Sequence, residues 1–173
     1  MASSASITEM LRPCTDSDIH GICAIVNDAA QAYRGVIPAD RWHEPYMPLD
    51  ELKKEIVMGV KFWGWTENGR LVGIMGMQPV QDVTLIRHAY VATEMRHHGI
   101  GGKLLDYLLG QIKGRILVGT WTAADWAIRF YESRGFRLVG NVEKDRLLKT
   151  YWNIADRQIE TSVVLEYKGR LKN

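Results

Sequence analysis

Between Val83 and Trp121 the chain passes through an apolar segment, VTLIRHAYV, a glycine turn, RHHGIGG, a helix-patterned segment, KLLDYLLGQIKG, and a second apolar segment, RILVGTW. This order allows few folds. Each apolar segment has the length of a strand, and Ile100, Leu104, Leu105, Leu108, Leu109 and Ile112 fall on one face of the intervening helix. Two strands joined through one helix form a parallel pair by a right-handed crossover.

The flanking segments extend that frame. Upstream, Thr15 and Asp18 stand in capping-box spacing ahead of Ile19, Ile22, Cys23, Val26, Ala30 and Tyr33, which share one helical stripe. A loop rich in proline, aromatic residues and charge, RGVIPADRWHEPYMP, leads to a short second helix with Leu49, Leu52 and Ile56. KFWGWT and RLVGIMGMQ then flank Asn68-Gly69, a pair suited to a two-residue type I′ hairpin turn, and the turn PVQD leads into VTLIRHAYV. Downstream, AADWAIRFYESR reads as a helix stopped by Gly135, with Asp125 as a candidate capping residue. FRLVG restarts a strand, residues 141–160 are charged and partly helical, and TSVVLEY is the final strand. The expectation is a mixed α/β sheet in one domain spanning residues 1–173, with residues 1–8 a frayed tail.

Totals narrow the class of function. With 22 basic and 20 acidic residues the formal charge is +2, too balanced to suggest a nucleic-acid partner. No apolar run is long enough to cross a bilayer, and the opening residues lack the charged start and apolar core of a secretory signal. Cys14 and Cys23 are the only cysteines and lack CxxC spacing, which argues against a disulfide framework or zinc site and for a cytoplasmic setting. His97 and His98 are adjacent and point in different directions, and no matching ligand cluster accompanies them, so no metal is expected.

The glycine turn carries the chemistry. A helix N-terminus presents unpaired amides and the positive end of the helix dipole, and glycines let the backbone approach an anion closely. Gly99, Gly101 and Gly102 do this here, with Arg96 adding charge. The dinucleotide pattern G-x-G-x-x-G fails because Leu104 stands where its last glycine would fall, and a P-loop fails because Lys103 is followed by Leu104.

RHHGIGG after a strand ending in valine, followed in order by AIRFYESRGF, resembles the GNAT superfamily of N-acetyltransferases over roughly residues 10 to 140. The resemblance implies the GNAT fold and acetyl-coenzyme A as co-substrate, with its pyrophosphate on the amides of His97, His98, Gly99, Ile100, Gly101 and Gly102 beside Arg96. It also implies pantetheine along Tyr90 and Val91, the Val91 N–H polarising the thioester carbonyl, and a bulge that splays this strand from the next. Tyr131 matches the family's tyrosine acid, with a core aromatic as the alternative reading. Ala124 stands where family members often carry an asparagine that contacts pantetheine, so that contact is lost or supplied elsewhere.

Other readings concern the base and the acceptor. The strand offers no carboxylate after Asp82, which leaves His88 as candidate base, with His43 and Glu44 as weaker alternatives. Trp121, Asp125 and Trp126, the loop residues Arg34, Arg41, Trp42, His43 and Tyr46, and the late residues Arg146, Tyr151, Trp152 and Arg157 are candidates to wall the acceptor or, for the last group, to meet a second subunit. The implied activity is acetylation of a small-molecule or peptide amine, by a chain that could act as a homodimer. A non-catalytic acyl-coenzyme A binding module is the alternative.

Overall fold

A computed structural model describes residues 6–169. Seven strands form one sheet: β1 (Glu9–Pro13), β2 (Lys61–Glu67), β3 (Arg70–Val80), β4 (Val83–Val91), β5 (Arg115–Trp121), β6 (Phe136–Leu138) and β7 (Ser162–Tyr167), in the order β1-β2-β3-β4-β5-β7-β6. Every neighbouring pair is antiparallel except β4 and β5. The helices are α1 (Ile19–Ala29), α2 (Leu49–Val57), α3 (Ile100–Gln111), α4 (Asp125–Glu132), α5 (Asn141–Tyr151) and α6 (Asp156–Glu160). Among the described residues, no helix is long and apolar enough to cross a membrane.

Alternation along the strands assigns the layers. Ile86, Ile116 and Val118 face α3 and α4, where Leu104, Leu105 and Leu108 are fully buried. Leu85 and Leu117 face the other way, toward Leu147 and Leu148 of α5 and Ile159 of α6. Ile22, Val26 and Leu52 of α1 and α2 cover Phe62 and Ile74. Truncating one of the α3 leucines to alanine costs about 2–5 kcal/mol by the usual cavity relation. A Cβ on Gly73 would stand 2.7 Å from Ile100 Cγ2, so that glycine lets α3 settle directly on the sheet.

Several local expectations hold in the backbone. Asn68 (φ +49) and Gly69 (φ +78) both take the left-handed conformation that a type I′ turn requires. Thr15 and Asp18 form the reciprocal capping box, and Arg12 grips the Asp18 carboxylate through two bonds of 2.8 and 2.9 Å.

Others are corrected. Residues 1–5 of the expected tail lie outside the described residues; directly after that tail comes a strand, Glu9–Pro13, that the sequence pattern did not announce. β1 pairs with β2 along the sheet edge, where short length and Pro13 are tolerated. The β3–β4 turn is only Gln81 and Asp82, because β3 continues through Pro79 to Val80. Ala124, not Asp125, is the N-cap of α4; Asp125 instead sits in the first turn, where its charge favours the helix dipole.

Candidate active site

The sheet opens in its middle. β4 and β5 pair only from Val83–Ile86 against Arg115–Val118, after which β5 holds β7 alone. The cause lies in β4, where Gly76 pairs with Arg87 but Ile74 pairs with Tyr90, so one extra residue is accommodated on β4. His88 takes φ +52 within this bulge, a left-handed conformation that costs a non-glycine residue about 1–2 kcal/mol. Stacking between Phe62 and Tyr90 and a hydrogen bond to Glu55 hold it there.

The wedge leads into a cleft of about 820 Å³. Ala92 N–H donates to Val72 O at 2.8 Å on the β3 side; since successive amides alternate along a strand, the Val91 N–H points into the wedge. At the mouth, Gly99 (φ +77) is the N-cap of α3 and His97 (φ +66) precedes it in the same left-handed region, an arrangement that gathers amides into an anion-binding concavity.

Tyr90, Val91, Arg96, His97, Gly99, Ile100, Gly101, Gly102, His88 and Tyr131 all line this cleft. His98 and Ala124 do not. His98 is exposed outside it, and Ala124 is fully buried beneath the cleft wall among Tyr33, Trp121 and Ala30. Arg96 donates to Ala29 O at 3.2 Å, tying the turn to the end of α1.

Arg134 was not anticipated. Its guanidinium lies against Gly102 at the first turn of α3 and pairs with Asp106 at 2.6 Å, adding positive charge beside the amides. Glu55 was also missed: on α2 it bonds both His88 and Arg87, the latter at 3.2 Å. Burial pushes the Glu55 carboxyl up, but the hydrogen bond and charge of His88 and the charge of Arg87 outweigh it and hold the group below its ordinary range.

Tyr131 packs edge-on against Phe130 and Phe136, and burial raises its pKa. Tyr33, Tyr46 and Tyr90 are likewise raised, chiefly by burial. All four phenols therefore keep their protons at neutral pH. Cys14 and Cys23 are both free, and burial pushes the Cys14 thiol up to about 12. No group of three metal-binding side chains occurs among the described residues.

The acceptor candidates separate. Tyr46, Trp121, Trp126 and Trp152 line the cleft, and Trp42 stacks on Tyr46 from behind at 5.8 Å. His43 bonds Pro45 O and Glu44 accepts from Gln31, both off the cleft wall. Arg146 pairs with Glu143, Tyr151 donates to Asp82, and Arg157 bridges to Asp40.

Residues 59–138 match the family model of the acetyltransferase (GNAT) domain. The chain is 22% identical over 152 residues to the peptidyl-lysine N-acetyltransferase YiaC of Escherichia coli, covering 88% of this chain and 99% of that one. Its fold is similar to PaiA N-acetyltransferase from Thermoplasma acidophilum in complex with coenzyme A, with a TM-score of 0.69 at 16% identity over 93% of this chain and 99% of that one. It is also similar to YncA, a putative acetyltransferase from Salmonella typhimurium with its cofactor acetyl-CoA (TM-score 0.59, 21% identity, 76% and 81% coverage). The divided sheet and the amide-lined turn agree with these likenesses: residues 59–138 match the GNAT acetyltransferase domain, and the chain is similar in sequence and fold to N-acetyltransferases, two of the similar folds being complexes with coenzyme A or acetyl-CoA.

Proposed function

We propose that the protein, acting as a single catalytic domain in the cytoplasm, acetylates a primary amine of a small molecule or peptide by direct attack on the thioester. The observation that carries this reading is the wedge between β4 and β5, which opens onto the amide-lined N-terminus of α3. The amides of residues 97–102, with Arg96 and Arg134 beside them, hold the pyrophosphate. The strand end Tyr90-Val91 carries pantetheine, and the Val91 N–H meets the oxyanion that forms when the amine attacks.

Two proton transfers complete the reaction. The ionised Glu55 carboxylate accepts from His88 Nε2–H, and this leaves Nδ1 as the ring's acceptor for the amine proton, directly or through water. Tyr131 gives its proton to the departing thiolate. Burial makes the phenol a weaker acid, but the same dry surroundings destabilise the thiolate as well, so the two remain matched.

Thiol release measured across a panel of primary amines tests the proposal. Tyr131→Phe lowers kcat by about 10²-fold or more, the ordinary worth of a positioned acid, while the KM for acetyl-coenzyme A stays close to its original value. Unchanged turnover removes Tyr131 as the acid, and no release above hydrolysis with any amine overturns transfer.

A further inference from the structure

We infer that the acceptor is an arylalkylamine, a primary amine carried on an aromatic ring with no second cationic group. This rests on the transfer reading above and deepens it by naming the substrate class. Tyr33, Tyr46, Tyr90, Trp121 and Trp126 all line the cleft. They form one array centred on Tyr33, whose ring centroid lies 5.5 Å from Tyr46, 6.4 Å from Tyr90 and 5.8 Å from Trp126. Trp121 Nε1–H donates to Tyr46 Oη at 2.9 Å, which satisfies the indole and fixes both rings. Trp126 stacks on Tyr33 at 27° yet is 42% exposed, so an indole stands open at the cleft rim. A rigid aromatic wall of this kind recognises another ring by stacking or edge contacts.

Charge points to the same class. Among the described residues, no aspartate or glutamate lines the cleft, whereas Arg87 and His88 line it on the β4 side. A diamine or polyamine keeps a remote ammonium, which on entering a cleft needs an anion to replace its lost hydration. The carboxylate behind this wall, Glu55, is already engaged by Arg87 and His88. A carboxylate-free aromatic wall also favours the neutral form of the entering amine, the form that attacks.

Initial rates of thiol release at fixed acetyl-coenzyme A, with tryptamine, putrescine and a lysine-bearing peptide as separate acceptors, test the inference. The expected result is a kcat/KM for tryptamine about tenfold or more above both others, a preference worth one strong aromatic contact. Trp126→Ala raises the KM for tryptamine about three- to tenfold and leaves the KM for acetyl-coenzyme A unchanged, while Trp126→Phe restores most of the loss. Preference for putrescine or the peptide, with tryptamine at the hydrolysis rate, overturns the inference and leaves the transfer reading standing. An unchanged KM for tryptamine in Trp126→Ala overturns the aromatic platform, and release on none of the three arms overturns transfer and the inference together.

Discussion

The two ends of the cleft are built from different material. At the α3 end the groups on offer are main-chain amides, set by two left-handed residues, His97 and Gly99, within a few consecutive positions. At the other end they are side chains, with Tyr33 and Tyr46 coming from the first third of the chain, His88 and Tyr90 from β4, and Trp121 and Trp126 from around the β5–α4 junction. A backbone site tolerates changes of side chain and fails when its conformation changes. A side-chain site does the reverse.

The sharpest way to break this division is at His88. His88→Gln leaves a group that can still bond Glu55 but removes the proposed base, so kcat/KM should fall about 10²-fold while acetyl-coenzyme A affinity holds. If donor affinity fell with it, the two ends would not be separable. At the amide end, Gly99→Val forces a β-branched residue to φ +77, a strain of about 1–2 kcal/mol that should weaken acetyl-coenzyme A binding by roughly tenfold in calorimetry. His98→Ala, whose ring is exposed and off the cleft, leaves that affinity unchanged.

A smaller effect falls on the scaffold of the side-chain end. The hydrogen bonds from Arg12 hold the Asp18 carboxyl down at about 2, against the cost of its burial and with help from the Thr15 amide. A carboxyl depressed in the folded state contributes stability that is present above the ordinary aspartate range, near pH 4, and is lost as pH falls through about 2. Asp18→Asn should lower stability by about 1–2 kcal/mol at pH 7 and flatten the acid limb of a urea-denaturation series. The smallest effect is expected from Arg157→Ala. It removes the exposed Asp40–Arg157 bridge (2.9 Å) between the first loop and α6, and should raise the acceptor KM slightly, a difference that added salt erases.

The same division explains what the sequence made legible. Gly99 to Gly102 and the leucine stripe of α3 are consecutive, so their spacing alone announces a helix N-terminus able to take an anion. The β4–β5 crossover is equally local, and the parallel pair was readable. The bulge at His88 has no such signature: a non-glycine residue in left-handed conformation is imposed by Phe62, Tyr90 and Glu55, which come from other elements. Glu55 itself looks like one more charge on the polar face of α2. Arg134 precedes the glycine that follows α4 and reaches Gly102 only because the fold brings the end of α4 to the first turn of α3. β1 escaped for a related reason, since EMLRP carries charge and proline and becomes a strand only against a partner some fifty residues away.

The early end of the β4–β5 ladder has a consequence beyond catalysis. A sheet normally has two edges; this one also has two internal ones, where Arg87–Val91 of β4 and Gly119–Trp121 of β5 keep a partner on one side only. A molecule that pairs with those internal edges mends the sheet as it binds. Its concentration then enters the folding equilibrium, raising the unfolding free energy with the logarithm of its excess over Kd. On the transfer reading, added acetyl-coenzyme A should raise the melting temperature of the protein, and its removal should lower it.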